Sequence, residues 1–292
     1  AVKFGQEMAE RLEFRTINSL CVSVLKYYGD KTGKTPHQLL NDEKRIAGIL
    51  AEIYQRVERV YPTDGDLKNI RTLITYIKNM MLNEDEIEAL DEEAECKISV
   101  IYREYCSKLK ELQMIDYDDQ MVYAYVMLKK IPWLLAHFQE LYPYICVDEA
   151  QDTSKIQHAI IALLAARTEN LFMGGEEDQS IYGFRAAYPE ALLEFEQRHR
   201  GAKVLLMEEN FRSDANIVAA ADHFIQKNTL RHEKHMRASR ESVQQIKEIP
   251  VGTRKAQYAY LSKVAEGCTT ETAVLYREHE CALPLIDLLE RK

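Results

Sequence analysis

Tyr144-Ile145-Cys146-Val147-Asp148-Glu149-Ala150-Gln151-Asp152 is the stretch on which the fold turns. A short apolar run ends at two adjacent carboxylates, which reads as a buried strand closing on an acidic turn. Downstream, Ile156 to Ala166 has helical spacing. Asn170-Leu171-Phe172-Met173 reads as a second strand, closed by Gly174-Gly175. Pro189 to Arg198 reads as a helix, Lys203 to Met207 as a third strand, and Ser213 to Asn228 as a helix. Strands alternating with helices predict a parallel α/β sheet. Residues 244–249 and 272–276 are expected to form two more strands with a helix between them.

Upstream the texture differs. Residues 5–29 read as helix, turn, helix. Residues 38–60 and 66–82 place apolar side chains at helical spacing, as in Ile46, Ile49, Leu50, Ile53 and Val57, and 97–113 continue in that style. From 31 to 111 the reading is helices with no convincing strand. No repeat or low-complexity tract is evident.

The carboxylates carry the first chemical signal. In open α/β sheets, ligands bind at the C-terminal edge of the strands. There Asp148 can hold a hydrated Mg²⁺, and Glu149 can orient or deprotonate an attacking water. The plainer alternative is that Asp148 caps the next helix. A second signal is Asp178-Gln179-Ser180-Ile181-Tyr182-Gly183-Phe184-Arg185, just past the second strand. Gln179 can hydrogen-bond both a γ-phosphate and a water. Tyr182 and Phe184 offer faces for base stacking, worth about 1–3 kcal/mol per base, unless they are core. The third signal is Glu208-Glu209-Asn210-Phe211-Arg212-Ser213, where Arg212 at a strand-to-helix turn suits a bidentate grip on phosphate. Its plain alternative is a surface salt bridge.

The ordered set VDEAQDTS, DQSIYGFRAA and MEENFRS resembles motifs II, III and IV of the UvrD/Rep/PcrA group of superfamily 1 DNA helicases. Thr16-Ile17-Asn18-Ser19-Leu20 resembles the group's strand-contacting Thr-aromatic-His-Ser motif. Asp116-Tyr117-Asp118-Asp119 is similar to its Asp-Phe-Asp-Asp segment, and Thr272 to Arg277 to a strand of the second motor domain. The similarity is good over about 1–30 and 112–230, thinner over 270–292 and architectural over 31–111.

The resemblance implies a RecA-like, P-loop NTPase-type parallel sheet from 1–30 and 112–202, an inserted helical subdomain at 31–111, and part of a second α/β domain at 203–292. It implies ATP and Mg²⁺ as cofactors, single-stranded DNA or a duplex/single-strand junction as partner, 3′–5′ polarity and a cytoplasmic location. Asp148 would serve the Mg²⁺, Glu149 the water, and Gln179 the coupling of nucleotide state to DNA. Arg212 would reach the γ-phosphate and Phe211 lie against adenine. Thr16, Asn18, Tyr182, Phe184 and Arg185 would contact DNA. The chain departs from the pattern at Asn18 (usually His), Glu176 (Asp), Ala186 (Gly) and Phe211 (commonly Tyr).

Charge and composition set limits. The chain has 292 residues, 46% of them hydrophobic, enough for two or three packed units. A net charge of −9 argues against a general nucleic-acid binder but leaves room for a narrow groove. The acidic run between Glu84 and Glu95 reads as a solvated helix face or loop. Lys227, Arg231, Lys234, Arg237 and Arg240 form a basic cluster that reads as a solvated linker rather than a DNA site. Six cysteines lack C-x-x-C spacing and read as free thiols in a reducing compartment. No apolar run approaches the ~18 residues of a membrane span, and Ala1-Val2-Lys3-Phe4 carries no signal-peptide pattern.

A P-loop is not found. Gly29-Asp30-Lys31-Thr32-Gly33-Lys34-Thr35 has one residue too few between its glycines. It also follows a helical pattern and precedes Pro36, so it reads as a polar loop. The opening residues, Ala1 to Arg11, resemble the end of the motif that follows a P-loop. The expectation is therefore a motor fragment, inactive as this isolated chain. Two alternatives remain open: a degenerate, non-enzymatic helicase-like scaffold, and a subunit of a helicase–nuclease complex.

Overall fold

Thr16 opens the first described helix of the computed structural model: its Oγ1 accepts the Ser19 amide at 3.2 Å, satisfying an orphan N–H of α1 (Ile17–Thr32). The structure describes residues 5, 7, 10, 12–35, 37–183, 186–243 and 245–291. It forms two bodies, Ala1–Leu206 with Lys227–Glu233, and Met207–Gln226 with Lys234–Lys292.

In the first body the chain continues through β1 (Gln38–Leu39), α2 (Glu43–Glu58), α3 (Asp64–Asn79), α4 (Glu84–Glu93), α5 (Ile98–Glu111) and β2 (Met114–Ile115). Then come α6 (Tyr117–Lys130), α7 (Pro132–Leu141), β3 (Ile145–Val147), α8 (Lys155–Ala165), β4 (Leu171–Met173), α9 (Glu190–Leu193) and α10 (Phe195–Arg198). Two apolar clusters fill it. Leu40, Leu50, Ile53, Ile70, Ile77, Ile98, Ile101 and Leu109 form one, so the helical spacing read from the sequence is the buried stripe of α2, α3 and α5. Cys21, Val24, Met121, Leu128, Leu134, Phe138, Ile156, Ile160 and Leu164 form the other.

The acidic run is α4, capped by Asn83, with Ile87 its one buried residue. Glu84 and Glu88 both reach Arg103 on the surface. One expectation needs correction: 31–111 is not wholly helical. Gln38–Leu39 pairs in parallel with Met114–Ile115, because the two chain passes meet where Leu40 enters the core.

A buried ionic knot joins α3 to the start of α6. The Nζ of Lys78 lies 2.7 Å from Asp116 Oδ2 and 2.8 Å from Asp119 Oδ1, with a lysine side chain only 1% exposed. Tyr105 donates to Asp116 at 3.2 Å, and Thr75 and Asn79 donate to Asp118 at 2.8 Å each. Asp116 and Asp119 also form the capping box of α6. The Asp-Tyr-Asp-Asp segment is thus a helix cap and an ionic anchor at once.

β3 and β4 run parallel, Ile145 opposite Leu171 and Val147 opposite Met173, with α8 as the crossover. β3 is expected to be buried, yet its Cys146 is exposed, as is Phe172 of β4. Among the described residues this pair packs one face on the second cluster through Ile145 and leaves the other open.

The second body holds β5 (Glu209–Asp214), α11 (Ala215–Ile225), β6 (Arg237–Arg240), α12 (Arg254–Glu266) and α13 (His279–Glu290). β5 and β6 are parallel, with an irregularity between Asn210 and Asp214. This overturns three strand expectations. Lys203–Met207 is not a strand: it has no ladder partner among the described residues, and Leu205 and Met207 lie exposed. Glu209–Asp214, the motif itself, forms the strand because Arg237–Arg240 pairs with it. Residues 245–249 and 272–276 are not strands either, and Leu275 faces solvent; Gln244 lies outside the described residues. Among the described residues, no helix is long and apolar enough to cross a membrane, and the six cysteines are free.

Candidate functional site

Because β3 and β4 are parallel, the turns that follow them leave the same edge of the pair. Asp148 and Glu149 leave β3; Gln179 sits in the 3₁₀ turn Glu177–Gln179 beyond β4. The ladder extends into this edge, with Gly174 N donating to Val147 O at 2.8 Å and Ala150 N to Gly174 O at 3.0 Å. All three side chains are exposed. Asp148 lines a groove of about 580 Å³ together with Thr16, Val147, Thr153, Phe172 and Gly174. A smaller cleft of about 220 Å³ between Leu25, Tyr28, Tyr123 and Met127 contains none of these carboxylates.

Glu149 adopts the left-handed conformation, φ 50° and ψ 43°. For a non-glycine residue this costs on the order of 1 kcal/mol and persists only where the surroundings enforce it. Here Asp148 Oδ1 accepts the Glu149 amide at 3.1 Å, and Gln151 Nε2 donates to Glu149 Oε2 at 2.7 Å. Gln151 is buried, and its Oε1 accepts the Glu176 amide at 3.0 Å. Ser180 Oγ donates to the Gln151 carbonyl at 3.0 Å. Gly175 makes this approach feasible: a Cβ there would lie 2.9 Å from Gln151 Oε1 and 2.9 Å from Leu192 Cδ1.

From the far side, Lys227–Glu233 closes on the same turn. Arg231 holds Asp178 through Nε at 3.0 Å and Nη2 at 2.8 Å, both side chains being buried. The His232 amide donates to Glu177 Oε1 at 2.9 Å. Oxygens of Glu176, Glu177 and Asp178 converge within 4.8 Å, but two of the three carboxylates already hold these donors. The solvated-linker reading is corrected at two of its five residues, since Arg231 is a buried ion-pair partner and Lys234, in the second body, is buried; Lys227, Arg237 and Arg240 are exposed.

His158, on α8, is buried, and its Nε2 has no hydrogen-bond partner among the described residues. Burial, reinforced by the charge of Arg198, depresses its pKa to about 4. The unfolded chain binds that proton near pH 6.5 and the folded one does not, so this contribution to stability is full above about pH 6.5 and is lost as pH falls through about 4, roughly 3 kcal/mol in all. In thermal unfolding, His158→Gln should lose clearly less stability across that window than the wild type. Equal losses would place the acid sensitivity elsewhere.

Thr16 is exposed on the groove wall, its hydroxyl engaged as a cap. Asn18 is half-buried, and its Oδ1 is buried without a partner among the described residues. Tyr182 is half-buried. Phe184 and Arg185 lie outside the described residues. Ala186, where the family pattern has glycine, adopts φ 64°, the conformation glycine takes without strain. In the second body, Phe211 is 64% exposed and Arg212 is exposed within β5 rather than at its end. Asn210 Oδ1 accepts the amides of Arg212 and Ser213 at 3.0 and 2.9 Å, shaping that segment.

Gly29–Thr32 is the last turn of α1, and Gly33 is its left-handed cap, φ 69°. These residues therefore end a helix, rather than forming the polar loop expected for all seven. A helix C-terminus presents carbonyls and a partial negative charge, the opposite of a phosphate cradle.

Gln151, Gly175, His158 and Arg231 were not singled out as site residues from sequence. Only Gln151, two places after Glu149, carried a local signal.

A family model described as "UvrD/REP helicase N-terminal domain" matches residues 2–200. The ATP-dependent DNA helicase PcrA of Leuconostoc citreum is 30% identical over 237 residues, 81% of this chain and 32% of that protein. PcrA of Bacillus subtilis is 30% identical over 247 residues, 80% of this chain and 33% of the relative. PcrA of Staphylococcus epidermidis is 27% identical over 279 residues, 93% and 38%. The chain thus spans about a third of the length of these relatives. The order of the motifs, the shared strand edge that carries two of them and the family match over most of the sequence lead to one assignment: the chain belongs to the UvrD/REP helicase N-terminal domain family.

Proposed function

We propose that this chain is part of an ATP-driven motor that moves on single-stranded DNA, and that the β3–β4 edge is its hydrolysis centre. The observation that carries the reading is the common edge of Asp148, Glu149 and Gln179, beside a groove of about 580 Å³. The relatives' names, ATP-dependent DNA helicases, support the same class.

In this reading 1–30 and 112–202 form a RecA-like domain, 31–111 an inserted helical subdomain, and 203–292 part of a second α/β domain. Support comes from the two separate apolar clusters of the first body and from the second parallel pair, β5–β6. Asp148 is an all-oxygen ligand at an exposed edge, which fits a hydrated Mg²⁺. When bound, that ion offsets phosphate charge. Glu149, held by Gln151, orients and deprotonates the attacking water; Gln179 reports nucleotide state to the Tyr182 segment. Arg212 and Phe211 serve the phosphate and the base, and Thr16, Asn18, Tyr182, Phe184 and Arg185 line the strand. Movement is 3′–5′, in the cytosol.

The test is phosphate release and displacement of a tailed duplex by the full-length gene product, with and without single-stranded DNA. Stimulated hydrolysis and displacement from a 3′ tail are expected. No DNA stimulation would remove the proposal, leaving the scaffold alternative. The isolated 292-residue chain is expected to behave differently. Gly29–Thr35, which ends a helix, offers no amide cradle to offset a triphosphate. Calorimetric titration with Mg-ATP should show no affinity near ~1 μM, which corresponds to about −8 kcal/mol. Micromolar binding would locate a cradle that the helix end does not explain.

A further inference from the structure

We propose that Gln151 is a positioning residue through which the turn carrying Gln179 controls Glu149, so that DNA-stimulated turnover passes through its amide. The inference rests on the hydrolytic reading of Glu149 given above.

Gln151 spends its side chain on two segments at once. Nε2 donates to Glu149 Oε2 at 2.7 Å, and Oε1 accepts the Glu176 amide at 3.0 Å. The orientation of the amide is forced, because a carboxylate only accepts and a peptide N–H only donates. The side chain is buried, with its residue 2% exposed, so water does not compete for either bond. The backbone adds a third link, Ser180 Oγ to the Gln151 carbonyl at 3.0 Å. Residues 176–180 are therefore tied to Gln151 at both ends, with Gln179 between the ties.

Gly175 leaves no slack. Its missing Cβ is the space that Oε1 and Leu192 occupy. A shift of the Glu176 amide by a few tenths of an ångström must move Gln151 or break the bond. The movement then passes to a carboxylate whose backbone is already held in a strained conformation. The arrangement is a short, rigid lever from the 176–180 turn to Glu149.

A glutamine that merely filled a buried polar slot would matter for folding alone. Gln151→Glu separates the two roles. It keeps an acceptor for the Glu176 amide and, when ionised, places an oxygen against Glu149; because two carboxyls so close can share a proton, Gln151→Met, which has no donor in any state, is measured beside it. The test uses the full-length gene product. It measures phosphate release with and without saturating oligothymidylate, the ATP dependence of the rate, oligothymidylate affinity, and amide exchange at Glu176. Gln151→Glu should keep Glu176 protection, with KM for ATP and DNA affinity within about threefold of wild type, while its DNA-stimulated kcat falls on the order of tenfold or more. Uncharged Gln151→Met carries the same kcat prediction. A folded variant whose stimulated kcat stays within about twofold of wild type overturns the lever. Failure of the underlying reading shows separately, as absence of DNA-stimulated hydrolysis in the wild type, and it takes this inference with it.

Discussion

Replacing Lys78 with methionine should lower the unfolding midpoint of the body that contains it by roughly 10 °C at about pH 7, from a loss of about 3–5 kcal/mol. Methionine fills the volume, so packing is nearly conserved. What is lost is the only cation within bonding distance of Asp116 and Asp119 among the described residues. Burial by itself would depress the Lys78 pKa. The two carboxylates override it and hold the ammonium above the ordinary lysine range. Titration of Lys78 itself therefore takes nothing from the pair below about pH 10.5, and the ammonium is lost only as pH rises through the higher folded value. In the variant, two buried carboxylates face each other without a counter-charge, and protonation relieves them. The deficit should shrink as pH is lowered from about 7 toward about 5, which acid sensitivity of the wild type does not mimic. Circular-dichroism melts at both pH values check this. A deficit independent of pH would mean that Lys78 acts through packing.

Glu149→Gln should lower DNA-stimulated ATP turnover by about 10²–10⁴-fold while leaving nucleotide affinity near wild type. Glutamine matches the carboxylate in size but takes no proton from water. It also presents an amide to Gln151, whose Nε2 donates to the carboxylate in the wild type. Binding should survive because the phosphates and the base are gripped elsewhere in the proposed scheme. The effect is thus expected in kcat, the signature of a group used in the transition state.

How much of this was legible in the sequence depends on how local each cause is. β3, α8 and β4 were read nearly to the residue, because a short apolar run ending in acid or glycine encodes its own strand and turn. The helices between 43 and 111 were equally readable from their apolar stripe. Lys203–Met207 has strand composition but no partner among the described residues, while Glu209–Asp214, unremarkable in composition, has one in Arg237–Arg240. Pairing decides strands, and pairing is not local. The same limit hid Arg231, whose carboxylate lies 53 residues away in sequence. Lys78 gave no signal either, since a lysine near the end of an amphipathic helix normally faces water. Its burial follows from Asp116 and Asp119 arriving from another element. At the candidate site, residue types and order singled out Asp148, Glu149 and Gln179 for the proposed roles. The amide of Gln151 that joins two of these segments became visible only once both turns stood at one edge.

The most direct test of a hydrolysis centre at this edge is single-turnover phosphate release by the full-length gene product, wild type beside Glu149→Gln. Both are loaded with Mg-ATP on saturating oligothymidylate, and bound nucleotide is measured in parallel. If Glu149 orients the attacking water, the variant binds nucleotide as the wild type does and releases phosphate at least about 100-fold more slowly. Release within about threefold of the wild-type rate, with the variant folded and loaded, would contradict the assignment and move the chemistry away from the β3–β4 edge.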